Sequence, residues 1–144
     1  MPAIAKAYLE SQVMTASPER LHLMIVDAAI RFARQAQEAL EQEKIEAAFK
    51  FFSRSRACVS EILGGISSDP NPELANRLRG LFAFVQQLLL KAELSRNPLL
   101  VVQAIGVLEI HRETWLQLIG NLQAAQPDLS VHDPEAGSKR SWTT

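Results

Sequence analysis

Cysteine is nearly absent from this 144-residue chain. Cys58 stands alone, so neither an internal disulfide framework nor a multi-cysteine zinc cage is available. An excess of one charge is also missing, with 15 Lys+Arg against 16 Asp+Glu. A net charge of −1 argues against a protein that grips nucleic acid by neutralising phosphates. No window approaches the ~18 apolar residues of a membrane span. The opening stretch, Met1 to Gln12, has Lys6 as its only base and no continuous apolar segment of the kind an export signal needs. Runs that alternate like a strand are absent, as are a glycine-rich phosphate loop and a nucleophile elbow. The expectation is one soluble, intracellular domain, long enough to bury ~70% of its unfolded surface.

What is present is helical punctuation. Ser17-Pro18, Asn71-Pro72 and Asn97-Pro98 each place a side-chain acceptor at an N-cap and a pre-set φ at the first helical position. Glu19 and Glu73 follow in the first turn, where a carboxylate meets the positive end of the helix dipole. From Pro18, Leu21, Met24, Ile25, Ala28, Phe32, Ala36, Ala39 and Leu40 recur at threes and fours, with Leu23, Val26 and Ile30 as a weaker second row. A second helix, without a strong cap, carries Ile45, Ala48, Phe52, Ser55, Val59, Ile62 and Ile66. Leu74, Leu78, Leu81, Val85, Leu88 and Ala92 mark a third, broadened by Phe82 and Leu89. Val101, Ala104, Ile105, Leu108, Trp115, Leu118 and Leu122 mark a fourth, with Gly106 and Gly120 tolerated inside it.

Helices over about 18–41, 44–66, 72–95 and 98–124, joined by short connections, must pack as antiparallel neighbours. The fold expected is all-α: an antiparallel up-down four-helix bundle over 17–125, an N-terminal arm over 1–16, and a disordered C-terminal tail over 126–144. The arm, with Ile4, Tyr8, Leu9 and Val13, is apolar enough to lie over a groove but too short to stand alone.

Chemistry is sparse. A di-metal carboxylate bundle needs Glu-x-x-His on two helices, and Glu19 to His22 is the single copy, so it is read as structural. His111 beside Glu109, Arg112 and Glu113 is read as part of a solvated helix face. Cys58, near Arg54 and Arg56, has no partner His and is read as a small, partly buried thiol. Arg31, Arg34, Lys50, Arg54 and Arg56 form a modest basic cluster, read as solvent face. No enzyme, metal or cofactor is expected. The surplus is apolar: the wide front of the first helix, Phe49, Phe51 and Phe52 on the second, and Phe82, Phe84 and Leu89 on the third exceed what one stripe needs, and part of that excess should line a groove.

The run from Tyr8 through Val13, Thr15-Ala16-Ser17-Pro18 and Leu21 to Met24 resembles the opening of the flagellar secretion chaperone family, FliS. Ala57 to Leu63, Asn76 to Phe84 and the Leu108 to Trp115 element with Arg112 are similar to its later helices, so the resemblance spans about residues 4 to 119. Where family members carry Leu-Tyr-Asp-Gly, this chain reads Ile25-Val26-Asp27-Ala28, and Phe82 stands for a tyrosine. The resemblance implies a cytoplasmic, non-enzymatic export chaperone, monomer or homodimer, that holds the C-terminal region of flagellin, keeps it from polymerising early and presents it to export-apparatus components. It implies contacts at Tyr8 and Val13 in the arm and at Leu21, Met24, Ile25, Asn76, Leu81, Phe82 and Val85 at or beside the groove. The rival expectation is a helical scaffold or self-association module with no flagellin client.

Overall fold

The computed structural model describes residues 16–125. The expected arm, with Tyr8 and Val13, and the expected tail lie outside the described residues. Four helices follow one another: α1 (Pro18–Glu41), α2 (Ile45–Gly65), α3 (Pro72–Ser95) and α4 (Pro98–Ala125). They lie within a residue or so of the expected bounds, and the reason is visible at their starts. Ser17 Oγ accepts from Arg20 N–H at 3.2 Å, and Asn71 Oδ1 accepts from Leu74 N–H at 3.1 Å. Asn97 Oδ1 accepts from Leu99 N–H at 2.9 Å. Each cap satisfies a backbone donor that the first helical turn leaves without a partner. Lys44, before α2, makes no such bond. Ser17→Ala and Asn71→Ala should each cost about 1 kcal/mol, read as a lower urea midpoint at unchanged slope.

Two of the corners close alike. Glu43 (φ 58°) and Arg96 (φ 54°) adopt left-handed backbone, letting Lys44 N–H donate to Ala39 O at 2.8 Å and Asn97 N–H to Ala92 O at 3.1 Å. This is the Schellman closure, made here without glycine. Such tight corners force consecutive helices side by side: α1 packs on α2 and α4, and α3 packs on α2 and α4, an all-α up-down ring.

The innermost row of α1 differs from the expected seam. Val26, Ala29, Ile30, Ala33 and Ala36 are buried, whereas Leu21, Met24, Ile25 and Phe32 stay half-buried at the margins. Alanines at the centre let α2 approach closely, placing Ala48, Phe52, Ser55 and Val59 against α1; the buried Ser55 hydroxyl donates to Ala29 O at 2.8 Å. The same shift on α3 encloses Ala75, Phe82, Val85, Leu88, Leu89 and Ala92 while leaving Leu74 48% exposed. Larger apolar side chains are thereby left over at one end of the bundle.

Polar ties run along the seams. Arg56 Nε and Nη2 donate to Glu93 Oε1 at 3.1 and 2.9 Å, joining α2 to α3. Arg34 pairs with Glu109, and Arg112 with Asp27, joining α1 to α4. The basic cluster expected across the first two helices is therefore divided, two of its members being neutralised by neighbouring helices.

Candidate functional site

An apolar groove of about 510 Å³ opens where the start of α1, the end of α2 and the start of α3 converge, with Trp115 of α4 on its border. Its apolar walls are Leu21 and Ile25 of α1, Ile62 and Ile66 at the end of α2, and Leu74 and Leu78 of α3. Glu19, Glu61 and Asp69 also line it. The groove exists because Ser17-Pro18 and Asn71-Pro72 start two helices at the same end, while Gly65 ends the helix between them. Its loop side is fixed by Arg79, which donates to Ile66 O at 3.4 Å and Ser68 Oγ at 3.0 Å.

Beside this groove is a cluster of rings. His22, which lines the groove, and His111, which is buried, bring their Nε2 atoms to 2.8 Å across α1 and α4. One ring donates and the other accepts, so the two neutral rings take opposite tautomers. Phe82 meets both edge-on, with centroids 5.9 Å from His22 and 4.9 Å from His111. Trp115 lies 4.3 Å from His22, and its Nε1–H donates to Glu19 O at 2.9 Å. His111 is thus interior, which corrects the expectation of a solvated stripe. It falls between Leu108 and Trp115 at spacings of three and four, in phase with the buried seam rather than with its charged chain neighbours.

Burial, and then the adjacent His111, hold His22 down at about 4; burial also lowers His111. Both are neutral near pH 7. Between about pH 6.5 and about pH 4 the unfolded chain binds protons that the folded chain refuses, so stability is full above that window and falls as the pH drops through it. Allowing for solvent at the half-buried ring, His22 accounts for a loss of about 2 kcal/mol. Urea melts at stepped pH should show this decline, and a His22→Gln/His111→Gln variant should flatten it. Cys58, half-buried, has its thiol pushed up by burial, as expected of a structural cysteine.

Of the residues that the resemblance placed at the groove, Leu21 and Ile25 line it. Met24 and Leu81 are half-buried and outside its lining, with Leu81 packed on the core. Asn76 is exposed, and its Oδ1 accepts from Arg79 Nη1 at 3.1 Å, so it steadies the residue that fixes the loop. Phe82 and Val85, placed at or beside the groove by the resemblance, have no exposed surface and are not part of its lining: the inward face of α3 carries them into the core, behind the wall formed by Leu74 and Leu78. The wall residues Ile62, Ile66, Leu74, Leu78 and Trp115 were legible only as seam positions. For Ile62, Ile66, Leu74 and Leu78 the signal lay in being the end-most members of their apolar rows. Among the described residues no group of three or more His, Cys, Asp or Glu is placed to hold a metal ion, and no helix is long and apolar enough to cross a membrane.

Among the described residues, fold and groove together define a four-helix bundle with an apolar cleft at one end. Residues 1–122 match the family profile described as "Flagellar protein FliS". The chain belongs to the FliS family of flagellar secretion chaperones. It is 30% identical over 120 residues to the flagellar secretion chaperone FliS of Campylobacter jejuni, covering 83% of this chain and 94% of that protein. It is 29% identical over 117 residues to the chaperone of the same name in Salmonella typhimurium (81% and 87% covered). The Bacillus subtilis chaperone is 23% identical over 113 residues (78% and 84% covered).

Proposed function

We propose that this chain is a cytoplasmic export chaperone that receives the C-terminal segment of flagellin in the apolar groove, holds it from polymerising, and releases it to the export apparatus. The observation that carries this reading is the groove itself: apolar side chains of three helices that the other described residues leave uncovered at one end of the bundle. A segment that becomes helical in a filament core must hide an apolar face beforehand, and Leu21, Ile25, Leu74 and Leu78 offer it one. Ordering that segment offsets part of the contact energy, so the expected complex is extensive with moderate affinity for its area. In this reading Tyr8 and Val13 contact the client from the arm, and no cofactor takes part. The full chain should bind a flagellin C-terminal peptide and not a scrambled copy. Leu74→Asp alters an exposed wall residue, so it should weaken binding about tenfold while leaving the melting midpoint within about 2 °C. Wild-type binding equal to that of the scrambled peptide overturns the reading.

A further inference from the structure

The seam between α1 and α2 carries cations that the client groove leaves unused. The Arg31 guanidinium of α1 stands 5.1 Å from the centroid of Phe32, and that of Arg54 on α2 reaches the same ring at 5.8 Å. Lys50 Nζ lies 5.9 Å from the centroid of Phe51. All three cations are exposed, and both rings are half-buried. Arg34 and Arg56, from the same stretch of sequence, are each closed by a glutamate of another helix, whereas Arg31, Lys50 and Arg54 enter no ion pair among the described residues. A ring attracts a cation to its face, so Phe32 holds two like charges near each other.

We propose that this α1–α2 face is a second docking surface, built on Arg31, Lys50 and Arg54 around Phe32 and Phe51, and that its partner is an acidic, partly apolar polypeptide segment. Carboxylates match the arginine fork in pairs, and apolar side chains between them would rest on the exposed margins of the two rings. Single-stranded nucleic acid is disfavoured: it needs open aromatic faces and a longer track of positive charge, whereas these rings are half-buried beneath their own cations in a chain of net charge −1. The surface is chemically distinct from the groove, whose lining has Glu19, Glu61 and Asp69 and no lysine or arginine.

The test uses the full chain and a short fluorescent peptide of alternating glutamate and leucine, with a lysine–leucine peptide and a single-stranded RNA of equal length as comparators. At low salt the acidic peptide should bind, and Arg31→Glu/Arg54→Glu should weaken it by about tenfold or more, with Arg31→Gln/Arg54→Gln intermediate. Arg77→Glu, at an exposed arginine on α3, should leave it within about twofold. Helical content by circular dichroism verifies folding, and the glutamine pair serves if charge reversal unfolds the chain. Three results overturn the proposal: no binding of the acidic peptide at low salt, equal binding by the reversed variant, or tighter binding of the RNA with the same loss on reversal. None of these readouts uses flagellin, so the groove reading stands or falls separately.

Discussion

Phe82→Ala should lower the stability of this bundle by about 3–5 kcal/mol, among the largest effects expected of a single truncation here. The ring is fully enclosed and supports both His22 and His111, so its removal leaves a void and takes away the surface on which the histidine pair rests. A midpoint about 10 °C lower is expected for a chain of this size, with Trp115 emission altered because the neighbouring His22 ring loses support. Folded domains hold about 5–15 kcal/mol in total, so the variant should remain folded at low temperature. A change under about 1 kcal/mol would contradict this placement of Phe82 in the core.

Ile25→Asp should act in the opposite sense, sparing the fold and removing the client. Ile25 is half-buried and lines the groove, so the carboxylate retains access to water when the groove is empty and loses it when an apolar segment covers the wall. Affinity for a flagellin C-terminal peptide should fall about hundredfold, equivalent to about 3 kcal/mol, with helical content retained and stability reduced by about 1–2 kcal/mol. Unchanged affinity would remove this position from the site. The contrast with Phe82→Ala separates wall from core, because each variant strongly moves a quantity that the other moves weakly.

Much of the architecture was written in local chemistry. Ser17-Pro18, Asn71-Pro72 and Asn97-Pro98 set the starts of α1, α3 and α4, and their side-chain oxygens do accept the expected backbone donors. The inward side of α2 was legible, its expected Ala48, Phe52, Ser55, Val59 and Ile62 being buried, but that of α1 was less so. Hydrophobicity ranks Leu21, Met24 and Phe32 above Ala29 and Ala33, yet these alanines form the centre because their small size admits the neighbouring helix. His111 was hidden by charged neighbours in sequence, although its spacing from Leu108 and Trp115 matched the buried row. The groove lay beyond a single-helix pattern altogether. It arises where three helix ends meet, and no one of them reveals what the other two leave uncovered.

The departures from the family pattern acquire a physical setting in the fold. Val26, in place of a tyrosine, is fully buried beside the central alanines, and Phe82, in place of another, packs edge-on to two imidazoles. Neither position leaves a buried hydroxyl in need of a partner. Asp27, retained from the pattern, pairs with Arg112, and Trp115 bonds to the Glu19 carbonyl, so these two elements of the resemblance clamp α1 to α4 beside the groove.

The most direct test of the central claim is a map of backbone amide shifts as a flagellin C-terminal segment is added to the isotope-labelled full chain. The account predicts that the strongest changes fall on Leu21, Ile25, Ile66, Leu74, Leu78 and the Trp115 indole, while amides around Phe84 and Leu94 on the outer face of α3 stay near their free positions. Changes confined to that outer face, with the groove residues unmoved, would contradict it.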